Sequence, residues 1–152
     1  MKPLRAVFSL LLVVIATVLV GCGGPATKAP LVYTPEKVAE LQLYLTPMNE
    51  AHDRLGELEG YVDSNDWTNI KSMIHGPFGS LRASAGYINR VLLKPDQKRA
   101  VALSEALFDD LEKLDSAASA NIPEFADTAY FAVVKDFDAY LNFIPSEPDT
   151  EE

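Results

Sequence analysis

Residues 66–92 read DWTNIKSMIHGPFGSLRASAGYINRVL. Within them Trp67, Ile70, Ile74, Phe78, Leu81, Ala85, Ile88 and Leu92 recur at steps of three and four, the period of one face of an α-helix. Asp66 stands where an N-cap belongs, because its carboxylate can accept from the free amides of a first helical turn. The stripe is interrupted once, at His75-Gly76-Pro77, where a residue without an N–H follows one without a side chain. The stretch therefore predicts one long amphipathic helix with a defect near its middle.

Three more segments repeat the pattern, and none shows sustained period-two alternation. A helix is expected over about 35–63, with Thr34 as cap, Pro35 in the first turn, and Val38, Leu41, Leu45, Met48, His52, Leu55 and Val62 on its stripe. That stripe contains one seven-residue step over Glu59, and Pro47 should kink the helix or mark a restart capped by Thr46. A third helix is expected over about 95–119, with Ala100, Leu103, Leu107, Leu111, Leu114 and Ala118 facing one way. The fourth covers about 123–144, with Ala126, Tyr130, Val133, Phe137, Tyr140 and Ile144 on its stripe and Pro145 at its end. The breaks near 64–65, 93–94 and 120–122 are a few residues each, and such short connections make sequential helices antiparallel neighbours. The fold class that follows is all-α, an up-down-up-down four-helix bundle over 35–145. An acidic tail, 146–152, is expected to be disordered.

The N-terminus is read as an address and an anchor. Lys2 and Arg5 are the only charges before Lys28, and Ala6 to Val20 is an apolar or small-residue run of signal-peptide length. As a helix it would reach about 22 Å, short of the ~30 Å hydrocarbon core of a bilayer. It ends in Leu19-Val20-Gly21-Cys22, which resembles a bacterial lipobox, and Cys22 is the only cysteine of the chain. Residues 1–21 then form a lipoprotein signal peptide. Residues 22–34 form the lipidated N-terminus and a short flexible tether rich in Gly, Pro, Ala and Thr. Two or more acyl chains on Cys22 would hold the domain firmly to a membrane surface.

Composition excludes several classes of function. The chain has 152 residues, is 48% hydrophobic, 23% charged and 9% aromatic, and carries a formal charge of −9. That is an ordinary single globular domain. Thirteen basic against twenty-two acidic residues argue against nucleic acid as a partner, because phosphate contacts need clustered Lys and Arg. Loss of Lys2 and Arg5 with the leader would take the net charge to −11. One cysteine excludes an internal disulfide framework and any multi-cysteine metal cluster.

The core offers no catalytic constellation. The residue three before His52 is Asn49, and three before His75 is Ser72, so the Glu-x-x-His pairs of a di-metal bundle are missing. A noncovalent haem held by a Met and a His from two helices, for instance Met48 and His75, is an alternative, and the expectation is no cofactor and no dedicated metal. His52 is read as a hydrogen-bonded core or boundary histidine, and either His52 or His75 could take an adventitious metal. Glu105, Asp109, Asp110, Glu112 and Asp115 spread around the third helix and look like a solvated face. No Gly-x-Ser-x-Gly elbow or phosphate loop occurs, so no enzyme activity is expected. Lys94, Lys98 and Arg99 gather at the turn between the second and third helices, with Arg90 one turn earlier. They are either a docking contact to an acidic partner or ordinary cations at a helix C-terminus. Gly76 and Gly79 would fit a neighbouring helix within the bundle or allow a partner's backbone to approach, and the first is preferred. On the residues alone, a membrane-tethered bundle that carries a ligand or metal in the periplasm is the alternative to an interaction protein.

The stretch from Trp67 to Arg82, with its His75-Gly76-Pro77-Phe78-Gly79-Ser80-Leu81-Arg82 centre, resembles the core motif of the PsbQ family. In that motif Phe78 takes the place of a leucine. Further likeness lies in Leu107-Phe108-Asp109-Asp110-Leu111, in Leu114-Asp115-Ser116-Ala117-Ala118, and in the ending from Tyr130 through Asp136-Phe137-Asp138 and Leu141 to Ile144-Pro145. The lipobox points to the cyanobacterial branch. The resemblance implies a non-catalytic extrinsic subunit on the lumenal face of photosystem II, anchored on the thylakoid membrane through Cys22 and monomeric in isolation. It further implies contact with the core and other extrinsic subunits. It would stabilise the oxygen-evolving complex and help retain calcium and chloride that belong to that complex. Docking candidates are His75, Arg82, Arg90, Lys94, Lys98 and Arg99.

Overall fold

A computed structural model describes residues 31–149. The signal peptide, Cys22, the tether as far as Pro30 and residues 150–152 lie outside the described residues. Six helices follow in order: α1 Pro35–His52, α2 Leu55–Asp63, α3 Trp67–His75, α4 Leu81–Val91, α5 Lys94–Ala120 and α6 Pro123–Phe143. They make four rods, because α1 with α2 and α3 with α4 are each one long helix broken once. Among the described residues there is no strand.

The caps explain the starts. Thr34 Oγ1 accepts from the Lys37 amide at 3.3 Å, and Asp66 Oδ1 from the Asn69 amide at 3.1 Å. Pro35, Pro95 and Pro123 each sit in a first turn, where no N–H is needed. Asn65 and Asn121, at φ 54° and 55°, take the left-handed conformation that turns the chain after α2 and α5.

The break after His75 falls where the sequence places it, and the break in the first rod does not. The helix does not restart at Thr46–Pro47; α1 runs through Pro47 to His52. The buried Leu45 and Met48 hold both sides of it, and the carbonyl deprived of a partner is that of Leu43, on the solvent side. Thr46 Oγ1 donates to the Gln42 carbonyl at 3.2 Å instead of capping a new helix. The break comes at Asp53–Arg54, where the Arg54 amide bonds Ala51 O and the helical ladder is lost. This resets the phase of the stripe. Ala51 rather than His52 is buried, and the fully buried Leu58 fills the apparent gap over Glu59.

Gly76 and Gly79 also have a different reason from the one expected. A Cβ at Gly76 would stand 2.6 Å from the Ser72 carbonyl oxygen, and one at Gly79 would stand 2.6 Å from the His75 carbonyl oxygen. Both clashes are with the chain's own preceding turn, so the glycines serve the break between α3 and α4 and not a neighbouring helix. Within that break the buried Phe78 donates its amide to Met73 O, which keeps the core stripe in phase on both sides.

Contacts across the bundle fix the order of the rods. α1 packs on α4 and α2 on α3, α3 and α4 pack on α5, α5 on α6, and α2 on α6. The rods therefore close in a ring. Pairs such as His75–Asp115, Arg82–Glu112 and Asn89–Ser104 descend one helix while climbing the next, the signature of antiparallel neighbours. This is the up-down-up-down bundle. Its core is a single cluster that includes every stripe residue expected on α6.

One buried polar chain crosses the core. Tyr140 Oη of α6 donates to Asn89 Oδ1 of α4 at 3.0 Å. Asn89 Nδ2 donates to Ser104 Oγ of α5 at 3.0 Å, and Ser104 Oγ donates to Val101 O at 2.9 Å. Among the described residues no buried side-chain polar atom lacks a partner.

The ends of the bundle extend past the expected boundaries. Tyr33 is buried, its amide donates to Asp149 Oδ2 at 2.7 Å, and the Asp149 amide donates to Tyr33 O at 3.0 Å. The segment before α1 and the residues after α6 are thus tied together, and the tail is fixed as far as Asp149.

Two glycine substitutions separate constraint from habit. Gly79→Ala should lower stability by about 1–3 kcal/mol, the usual cost of forcing an atom into filled space. Gly60→Ala, inside α2 where a Cβ meets nothing within 4 Å, should raise it by about 0.5–1 kcal/mol. Urea unfolding of the two variants beside the parent protein measures both.

Candidate docking surface

The two histidines act as cross-helix ties. His52, half-buried at the end of α1, places Nε2 2.7 Å from Asp138 Oδ1 on α6 and sets its ring edge-on to Phe137, centroids 5.4 Å apart. It is a hydrogen-bonded boundary histidine. His75, exposed at the end of α3, places Nε2 2.9 Å from Asp115 Oδ1 on α5. Met48 is fully buried in the core of α1, whereas His75 is exposed. Among the described residues no three His, Cys, Asp or Glu side chains converge to hold a metal ion.

Arg82 of α4, although exposed, is likewise tied to a neighbouring helix. Its Nη2 donates to Glu112 Oε1 of α5 at 2.7 Å, and its guanidinium lies 4.5 Å over the Phe108 ring. Of the α5 acids expected on a solvated face, Glu105, Asp109 and Glu112 are exposed, while Asp115 is part-buried and Asp110 is buried. Glu112 and Asp115 hold α4 and α3. Asp110 is buried and takes the Lys113 ammonium, whose pKa is raised by that bond. The helical pattern marked where these acids lie but not which cations would reach them.

The remaining docking candidates share one end of the bundle. Arg90 Nε donates to Gly86 O at 3.0 Å and its guanidinium rests 5.4 Å from the Tyr87 ring. Lys94 Nζ donates to Gln97 Oε1, and Arg99 stacks 4.9 Å over Phe143. None of Arg90, Lys94, Lys98 and Arg99 makes an ion pair, although Arg54, Arg82, Lys113 and Lys135 each do. Arg90, Lys94 and Lys98 line a groove of about 600 Å³ between α4 and α5, with Asn89, Gln97 and Val101.

Tyr33, absent from the sequence reading, organises that end. Its hydroxyl donates to Asp96 Oδ2 at 2.6 Å and accepts from the Leu93 amide at 3.2 Å. It thereby caps α5, which has no side-chain cap of its own. Gln97 Nε2 completes the clasp by donating to the carbonyls of Arg90 and Leu92. A tyrosine before a helix cap carries no periodic signal, so nothing in the sequence pattern singled it out.

A second groove, about 830 Å³, runs between the end of α5 and the start of α6. Ala117, Ile122, Phe125 and Ala132 give it an apolar floor, and Asp109 and Glu112 an acidic rim. Phe125 and Phe131 are both largely exposed on α6. Both lie off the buried stripe of α6.

The described chain is thus an antiparallel helical bundle whose distinctive groups lie on its surface. Among the described residues no helix is long and apolar enough to cross a membrane. Residues 4–145 match the PsbQ family, described as oxygen evolving enhancer protein 3. The chain is also 38% identical over 146 residues to CyanoQ of Synechocystis sp., an alignment that covers 95% of this chain and 98% of that relative. The chain belongs to the PsbQ family.

The Tyr33 clasp has a pH signature. Burial first, and then the bond to Asp96, push its pKa from 10.0 up to about 12. Below pH 10 the hydroxyl keeps its proton folded or unfolded, so its contribution is complete. As pH rises from 10 toward about 12 the unfolded chain ionises first, and that stability is lost. Tyr33→Phe should cost about 1–2 kcal/mol below pH 10, since it orphans the Leu93 amide. It should also show a smaller alkaline loss than the parent. Tyr130 and Tyr140, held above their ordinary values by burial, remain in both proteins. Urea midpoints on either side of pH 10 make the comparison.

Proposed function

We propose that this chain is a non-catalytic extrinsic subunit of photosystem II. It sits on the lumenal side of the thylakoid membrane, where it stabilises the oxygen-evolving complex and helps retain that complex's calcium and chloride. The observation that carries the reading is the match to the oxygen evolving enhancer family over residues 4–145, nearly the whole bundle with its leader. The likeness to CyanoQ along 95% of the chain supports the same role. The fold is compatible with it, because the polar groups inside the core are satisfied by one another and the unsatisfied charge lies outside.

On this reading Cys22 is the acylated first residue of the mature protein, and the bundle is held at the membrane by that anchor. The unpaired Arg90, Lys94, Lys98 and Arg99, with the exposed outer edges of His75 and Arg82, are the cationic groups left to meet acidic surfaces around the bundle, whether protein or membrane. An acidic protein of this charge needs such a positive end to approach other acidic surfaces without repulsion.

A tagged copy expressed in a cyanobacterium should co-purify with photosystem II core subunits from detergent-solubilised membranes and should be lost on washing with salt plus detergent. Recovery of no photosystem II subunit would overturn the assignment. Cys22→Ala should leave the bundle folded and move it to the soluble fraction, or leave the precursor uncleaved. Unchanged processing and membrane fractionation in that variant would refute the anchor.

A further inference from the structure

The α4–α5 end combines three features that no internal packing requires. Among the described residues its four cations make no ion pair, whereas four of the six other Lys and Arg do, and three of the four line one groove. Asp96, on the same turn, takes the Tyr33 hydroxyl and makes no ion pair with them. Apolar and aromatic side chains stand exposed at the same end: Tyr87 and Val101 beside the groove, and Leu31 and Val32 next to Tyr33. Cations mixed with exposed apolar and tyrosyl groups make the composition of a surface that meets lipid headgroups.

Chain geometry points the same way. Tyr33 bonds to Leu93 and Asp96, so the start of the described chain lies at this end. Cys22 precedes Leu31 by nine residues, which even fully extended span only about 30 Å. An acyl chain on Cys22 would therefore keep the α4–α5 turn within a short reach of the bilayer. The opposite end, with the α5–α6 turn, lies a further bundle length away.

We infer that the groove lined by Arg90, Lys94 and Lys98 binds the phosphate or sulfate headgroup of an anionic membrane lipid and seats this end of the bundle on the bilayer. The inference rests on the reading of Cys22 as the acylated residue. Arg90 supplies a planar fork suited to an oxyanion, braced by its bond to Gly86 O and by the Tyr87 ring. Lys94 and Lys98 supply point charges from the first turns of α5. The Leu31 and Val32 side chains would enter the headgroup region beside them.

The test uses the processed protein purified from membranes, with its Cys22 mass measured first. It is reconstituted into vesicles of phosphatidylcholine alone or of phosphatidylcholine with phosphatidylglycerol. Amide hydrogen exchange over residues 86–101 should slow about fivefold in the phosphatidylglycerol vesicles and return to the neutral-vesicle rate in high salt. The triple variant Arg90→Gln, Lys94→Gln, Lys98→Gln should exchange alike in both vesicles. Its fold is checked by thermal unfolding, and Lys98→Gln alone should show a partial loss if the triple variant is unstable. Equal exchange of the parent protein in both vesicles would overturn the inference, as would protection that survives the triple change. Protection by inorganic phosphate with none from phosphatidylglycerol would make the groove a site for a free oxyanion and overturn its lipid assignment. Protection that appears only when photosystem II cores are added would give it to an acidic protein surface. A Cys22 without acyl chains would remove the anchor and this inference together. An acylated protein that floats with both vesicle types but shows no response at 86–101 would sink the inference alone.

Discussion

The hydrogen-bonded chain from Tyr140 through Asn89 to Ser104 sets the register of three helices at once. Apolar stripes alone would tolerate sliding, because Leu, Ile and Ala positions one turn apart offer nearly equivalent surfaces. A buried amide does not tolerate it. A shift of one turn would leave the Asn89 amide and the Tyr140 hydroxyl without partners in a low-dielectric interior, each at about 1–3 kcal/mol. The core therefore has one arrangement in which every polar atom is satisfied. The outer pairs, His52–Asp138, His75–Asp115 and Arg82–Glu112, are then aligned by that register rather than being its cause. Exposed pairs of this kind contribute little stability each.

Much of the fold was legible in the pattern of residues, and the exceptions have physical reasons. The stripes of α4 and α6 mapped onto buried positions because nothing interrupts their period. The first rod misled because Pro47 is the strongest local breaker in it, yet the break falls at Asp53–Arg54. Burial of Leu45 and Met48 outweighs one lost hydrogen bond, and no residue type at 53–54 advertises a stop. Leu58 was hidden for the same reason, since a phase reset cannot be seen by counting from the wrong origin. At Gly76 and Gly79 the residue types correctly announced something special. The cause is the backbone of the preceding turn, which becomes evident only when the coordinates of Ser72 and His75 are known.

The surface was legible as charge but not as pairing. Arg82 and Arg90 look alike in sequence, eight residues apart on one helix. One faces Glu112 across α5 and is neutralised there, while the other faces no acid. That difference depends on which helix is a neighbour and in what register. Asp110 reads as one more acid on a charged helix and is in fact buried against Lys113. Family membership is drawn instead from residues 4–145 as a whole.

The Tyr33–Asp149 clasp has a topological consequence. With the two backbone segments bonded to each other, the described chain is almost a closed loop of four rods. A short peptide joining the residues on either side of the clasp could complete the loop. The polypeptide could then be opened instead at the left-handed Asn121, at the far end, giving a circularly permuted bundle with the same neighbours. Such a rearranged molecule would carry its new ends away from the basic groove. The order of the rods along the chain would change while their packing stayed the same.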